Sequence, residues 1–192
     1  MHVQRPMAGL IVIDEVLSPA DLAMLAAIVD DLEFEDQDLR RNLLSARTRA
    51  VVEDPRVPEL LWARIQGALP PVWEFFDAET RARCFDPPTP EWEAVGCNPR
   101  SRIYRYPVAA GFPEHDDEPW WPSQGSRTFL TVLVYLDVGD CVGGETVVDG
   151  EVVAPVEGRV VVFDHLLRHE GRPVERGRTT VIRSDIVASR EL

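Results

Sequence analysis

The sequence predicts an α+β protein, a helical first half packed on a sandwich or jelly-roll of short strands. Three observations predict it. Apolar residues recur with helical period only before residue 70, in 10–18-residue stretches; beyond a Pro-rich break at residues 86–90 (DPPTP) they fall into short β-branched runs; and glycine turns separate those runs. The 192 residues suit a single domain, 1–192, with 1–90 as a mainly helical support segment and 91–192 as the strand-rich core.

The elements follow in order. Residues 10–13 (LIVI) form a short β-branched run that ends at Asp14 and reads as an edge strand. Ser18-Pro19 supplies an N-cap and a proline at the first helical position, and Leu22, Leu25, Ala26, Ile28 and Val29 carry one apolar face to about Leu32. Residues 33–52 are charged and less periodic, a loop or a weak strand near Ala50 to Val52. Pro58 opens a second helix with Leu60, Leu61, Ile65 and Leu69 on one face; Pro70-Pro71 stops it, and a short third helix covers 72–76. Strands are expected at 101–106, 128–137, 145–148, 151–153, 159–163 and 179–187. Gly143-Gly144 is a pair that tolerates positive φ, and Asp149-Gly150 is a two-residue hairpin signal.

Composition excludes several classes. A net charge of −13 opposes a nucleic-acid partner, since phosphate binding needs a basic footprint. No apolar run approaches the roughly 20 residues that cross a bilayer, and the N-terminus lacks an apolar signal core, so the expected protein is cytoplasmic with no membrane partner. Cys84, Cys97 and Cys141 are scattered and odd in number, which implies neither a disulfide framework nor a zinc site. Seven arginines from Arg159 to Arg190 cluster in the acidic chain, and one of them is a candidate to hold an anionic cosubstrate.

His115, Asp117 and His169 carry the chemistry. In extended chain, residues two apart share a face, so His115 and Asp117 address one point while Asp116 turns away. A histidine 54 positions later completes two imidazoles and a carboxylate, the facial set of a non-haem Fe(II) site. Local alternatives stand beside it: His165 for His169, and Asp116 or Glu118 for Asp117. The loop after Asp117 holds Trp120 and Trp121, a lid over substrate or an exposed apolar patch.

Three ordered stretches resemble the Fe(II)/2-oxoglutarate-dependent dioxygenases of the prolyl 4-hydroxylase type: RIYRYPVAAGFPEHDDE from Arg102, SRTFLTVLVYLD followed by GGET, and PVEGRVVVFDHLLRHEGRPVERG continuing into IRSDIV. The resemblance implies a double-stranded β-helix (jelly-roll, cupin-like) catalytic core with supporting N-terminal helices. It puts His115, Asp117 and His169 on the metal, and His165 off it. It also implies Fe(II), 2-oxoglutarate and O2, with ascorbate as a stimulant, and hydroxylation of a small molecule, amino acid or peptide coupled to decarboxylation to succinate. Family members hold the cosubstrate's far carboxylate with a base ten residues after the distal histidine, and here that position is Thr179. Arg183 shares Thr179's strand face and is the expected anchor, ahead of Arg178 on the opposite face. Tyr106, Tyr135, Thr131 and Leu133 are expected to line the cosubstrate pocket, and Arg49, Arg102, Trp120 and Trp121 to meet substrate. The competing readings are a non-catalytic metal-dependent β-helix that binds or senses a small molecule, and, more weakly, a zinc hydrolase.

Overall fold

The computed structural model of the chain describes residues 1–36, 47–76 and 89–190. Among the described residues, fifteen strands and two α-helices run in the order β1 His2–Met7, β2 Leu10–Asp14, α1 Pro19–Asp30, β3 Glu35–Asp36, β4 Thr48–Val52, α2 Arg56–Ile65, β5 Glu93–Cys97, β6 Ser101–Tyr106, β7 Phe112–His115 and β8 Ser126–Asp137. They continue with β9 Val142–Gly143, β10 Thr146–Val148, β11 Glu151–Val153, β12 Val160–Asp164, β13 His169–Gly171, β14 Val174–Arg176 and β15 Thr179–Ser189. The main sheet has the order β1-β2-β12-β8-β15-β6-β4-β3, with β5 paired to the far end of β15. A smaller sheet, β11-β10-β13-β7, faces it. All pairings are antiparallel, as a jelly-roll requires.

Period-two alternation assigns the two faces of the main sheet. On β12, Val160 and Val162 join the core under the helices, whereas Val161 and Phe163 face the smaller sheet. On β8, Leu130, Val132, Val134 and Leu136 face the helices, leaving Thr131, Leu133 and Tyr135 for the interior between the sheets. Helix α1 covers the outer face with Leu25, Ile28 and Val29, and α2 with Val57, Leu61 and Ile65, the i, i+4 spacing of one helical stripe.

The start of α1 is closed as its sequence predicts. Ser18 Oγ accepts from the Asp21 backbone N–H, and the Asp21 carboxylate accepts from the Ser18 backbone N–H at 2.8 Å. The same carboxylate takes a bidentate pair from Arg64 of α2, at 2.9 Å on each oxygen, so one side chain caps a helix and joins it to its neighbour. These bonds hold the Asp21 carboxyl well below the usual range.

Several expectations change. The described residues of the first ninety are not mainly helical: β1, β2 and β4 hydrogen-bond into the main sheet. Residues 10–14 are an inner strand, flanked by β12 and by β1. Strand β1 escaped the reading because its residues are mostly exposed and lack apolar alternation; its pairing with β2 slips between Gln4 and Met7, where Pro6 removes a donor. Helix α2 starts at Arg56, two residues before Pro58, and gives way to a 3-10 turn over Gln66–Ala68; the third helix is likewise a 3-10 turn, Val72–Phe75. The hairpin at Asp149-Gly150 forms with φ of 46° and 89°, and Gly143 and Gly144 both take positive φ. Most of the Pro-rich break lies outside the described residues. Among the described residues, no helix is long and apolar enough to cross a membrane.

Candidate active site

Register brings the two histidines together. Strand β13 pairs with β7 so that His169 lies opposite His115, and cross-strand partners in an antiparallel pair share a face. Their rings stand 4.2 Å apart between centroids. Asp117 follows β7, and its backbone N–H donates to the His165 carbonyl at 2.9 Å, which holds the carboxylate against the pair. His115, Asp117 and His169 present ligand atoms all within 4.8 Å of one another, the group among the described residues that could hold a metal ion.

The donor set fits a divalent metal. His115 Nδ1 lies 2.8 Å from the Pro113 carbonyl and His169 Nδ1 2.9 Å from the Leu167 carbonyl. A carbonyl only accepts, so each Nδ1 carries the proton and each Nε2 keeps its lone pair. Those Nε2 atoms face the Asp117 carboxylate, at 3.9 Å from His115 and 3.6 Å from His169. Two imidazoles and one carboxylate leave coordination positions open, which suits Fe(II) better than the closed tetrahedron of structural zinc.

Charge is arranged to keep this set ready. Burial lowers the affinity of His169 for a proton, which favours the neutral ligating form. Burial also opposes ionisation of Asp117, but the Arg183 guanidinium, the Thr131 hydroxyl and His169 outweigh it and hold the carboxyl below its ordinary value. Arg183 Nη2 stands 3.0 Å from Asp117 and 3.0 Å from Asp185, so one guanidinium bridges two carboxylates. Asn98 Nδ2 donates to the other oxygen of Asp185 at 2.9 Å, and His165 Nε2 sits 3.5 Å from the first. A buried chain thus runs from His165 through Asp185 and Arg183 to Asp117.

Two cavities meet at this point. The first, about 220 Å³, runs between the sheets and is lined by Tyr104, Tyr106, Phe112, Leu133, Tyr135 and Val181 together with the His–Asp–His cluster, Thr131, Thr179 and Arg183. Burial pushes the Tyr135 hydroxyl up to about 12 and the Tyr106 hydroxyl higher still, so both stay neutral donors. Tyr135 Oη and Thr146 Oγ1 are hydrogen-bonded at 2.6 Å. The second cavity, about 410 Å³, is lined by Arg100, Asp116, Glu118, Trp120 and Asp185; Arg102, Asp117 and Arg183 border both.

Of the residues singled out in the sequence, the structure gathers His115, Asp117, His169, Tyr106, Thr131, Leu133, Tyr135 and Arg183 around the first cavity, with Arg102 between the two and Trp120 on the second. Arg178 lies elsewhere: it is exposed, pairs with Asp137 at 3.3 Å and lines neither cavity, as its strand face requires. Trp121 and Arg49 line neither cavity; Trp121 is exposed beside Arg127, and Arg49 sits on β4 opposite Tyr104. His169 is the first residue of β13. His165 is buried behind the cluster and is not part of it.

Sequence reasoning missed Phe112, which stacks on His115 at 4.3 Å, and Arg47, whose guanidinium lies 3.7 Å from the Phe112 ring. Arg47 Nε and Nη1 are buried and have no hydrogen-bond partner among the described residues. Its only signal is its place two residues before Arg49, on the same face of an extended segment.

A jelly-roll whose facing sheets converge on two histidines and an aspartate defines the class, a non-haem iron oxygenase fold. Residues 101–183, under half of the chain, match the family described as the 2OG-Fe(II) oxygenase superfamily, the family that the motifs resemble. The family implies Fe(II), 2-oxoglutarate and O2. No curated protein sequence matches the chain. Similar solved structures include a 2OG-Fe(II) oxygenase family oxidoreductase from Burkholderia pseudomallei, 19% identical over 95% of this chain and 85% of that one, with TM-score 0.58. A Pseudomonas putida prolyl-4-hydroxylase is 19% identical over 96% and 94%, with TM-score 0.58. A Trichoplax adhaerens prolyl hydroxylase, in complex with a hypoxia inducible factor oxygen degradation domain peptide fragment, is 17% identical over 94% and 84%, with TM-score 0.60.

Proposed function

We propose that this oxygenase hydroxylates an unactivated C–H bond of a small molecule, amino acid or peptidyl residue, coupled to decarboxylation of 2-oxoglutarate to succinate. The observation that supports it is the convergence of two Nε2 lone pairs and the Asp117 carboxylate beside a cavity of cosubstrate size. Bound Fe(II) and 2-oxoglutarate supply the oxidising equivalents for that chemistry.

His115, Asp117 and His169 hold the metal in this reading, and the Pro113 and Leu167 carbonyls fix the two imidazoles. Thr131 donates to Asp117 and orients it. Arg183 is the cation that meets the 2-oxo acid, sharing its guanidinium with Asp117 and Asp185. Tyr106 and Tyr135 offer neutral hydroxyls to the cosubstrate, and Leu133 and Val181 keep water from it. The Trichoplax relative carries a peptide, which keeps peptidyl substrates among the candidates.

The test is a substrate screen with Fe(II), 2-oxoglutarate and air, with and without ascorbate, read by succinate release and mass spectrometry of products. Substrate-dependent succinate is expected, and none from His115→Ala. Succinate from that variant at the parent rate removes the metal assignment. Binding of metal and 2-oxoglutarate with no turnover of any candidate favours a non-catalytic sensor.

A further inference from the structure

We propose that the charged cavity beside Asp117 receives the molecule that is oxidised, and that this molecule is a small zwitterion with a free carboxylate and a free ammonium group, the chemistry of a free amino acid. The proposal rests on the assignment of His115, Asp117 and His169 to the metal. Given that centre, a substrate must lie against it without displacing the cosubstrate. The cavity between the sheets and the charged cavity both border Asp117, and they meet at Arg102 and Arg183. The first is walled by aromatic and aliphatic side chains within the β-sandwich; the second opens beside the segment that carries Asp116, Glu118 and Trp120. At about 410 Å³ it is of small-molecule size, within the range of roughly 300–1,000 Å³ for such sites.

The charges in the second cavity separate into committed and available groups. Arg183 is engaged at 3.0 Å by both Asp117 and Asp185, and Asp185 is further held by Asn98. Arg100 pairs with Glu53 at 3.3 Å. Among the described residues nothing engages the side chain of Arg102, which is half-buried between the two cavities. Asp116 and Glu118, both exposed, line the same cavity and are likewise unengaged among the described residues. One available guanidinium thus shares the cavity with two available carboxylates. A purely anionic ligand would meet Asp116 and Glu118 unfavourably, and a cationic or apolar one would leave Arg102 desolvated and unpaired. A ligand with both signs satisfies both sets of charge, its carboxylate on Arg102 and its ammonium toward Asp116 and Glu118. An internal residue of a peptide has neither group, which separates this ligand from a peptidyl one.

The experiment uses the full chain loaded with Zn(II) and 2-oxoglutarate, which binds without turnover. The common L-amino acids are titrated one at a time, each beside its N-acetylated and its C-amidated form, with calorimetry and the part of the intrinsic tryptophan fluorescence that Trp120→Phe removes as readouts. At least one free amino acid is expected to bind, with each blocked form weaker by about tenfold or more, the value of a charge-assisted contact. Arg102→Gln is expected to weaken that amino acid by a similar factor and leave 2-oxoglutarate affinity within about twofold, while Arg102→Lys recovers part of the loss. Asp116→Asn combined with Glu118→Gln should weaken the free amino acid and not its N-acetylated form. Blocked forms that bind as well as free ones, no free amino acid that binds, or an Arg102→Gln effect on 2-oxoglutarate alone would each overturn the proposal. If 2-oxoglutarate itself fails to bind the metal-loaded parent, the cosubstrate assignment falls, and this inference with it.

Discussion

The two faces of the main sheet are made by the same strands and do opposite work. Toward the helices, β8, β12 and β15 present Val132, Val134, Val160, Val162, Ile182 and Ile186, an apolar surface that α1 and α2 cover. Toward the smaller sheet the same strands present Thr131, Tyr135, Thr179 and Arg183, around a cavity that stays open. The first face gains stability from close packing. The second gives some of that up: it buries a guanidinium, a carboxylate and hydroxyls, each of which needs a partner. Stability and chemistry are therefore divided by residue parity along a strand, and neighbours in sequence should respond differently to substitution.

The largest expected effect is on the inner face. His169→Ala should abolish stoichiometric binding of a divalent metal and all succinate formation, with far-UV circular dichroism unchanged; metal retained at parent stoichiometry would place the centre elsewhere. Arg183→Gln comes next. It removes the cation that bridges Asp117 and Asp185, and 2-oxoglutarate affinity measured by calorimetry should fall about tenfold to a hundredfold. Its neighbour Ile182 is fully buried on the outer face. Ile182→Ala should cost about 2–5 kcal/mol in urea unfolding and leave the affinity of the folded enzyme for 2-oxoglutarate unchanged. If these two variants behave alike, the division between faces is wrong.

The smallest effect lies at the helix clamp, remote from either cavity. The Arg64 and Ser18 bonds lower the Asp21 carboxyl in the folded chain, so its contribution is complete above the unfolded value near 3.8 and is lost as pH falls below it. The stability difference between the parent and Asp21→Asn should therefore be constant near neutral pH and shrink on acidification below about pH 4, as urea titrations would show. A difference that widens toward acid would reverse the sign of this linkage.

Much of this was legible in the chain. The gathering of His115, Asp117 and His169, the face shared by Thr131, Leu133 and Tyr135, the hairpin at Asp149-Gly150 and the Ser18 cap all follow from spacing and turn chemistry. Strands that lack an apolar pattern did not declare themselves: β1 is largely exposed, and β5 has only one fully buried residue. Long-range partners were equally hidden. Nothing local reveals that Asp185 would grip Arg183 from the same strand face, or that Arg47 would lie across Phe112, because both depend on how distant segments pack.

Strand β15 serves both faces along most of its length, alternating Val181, Arg183 and Asp185 inward with Ile182 and Ile186 outward. Insertion or deletion of a single residue between Thr179 and Asp185 would exchange those sets, driving a guanidinium under the helices and isoleucine into the cavity between the sheets. Descendants of this chain can vary the length of their connecting loops, but along this stretch they can change only by replacing one side chain with another.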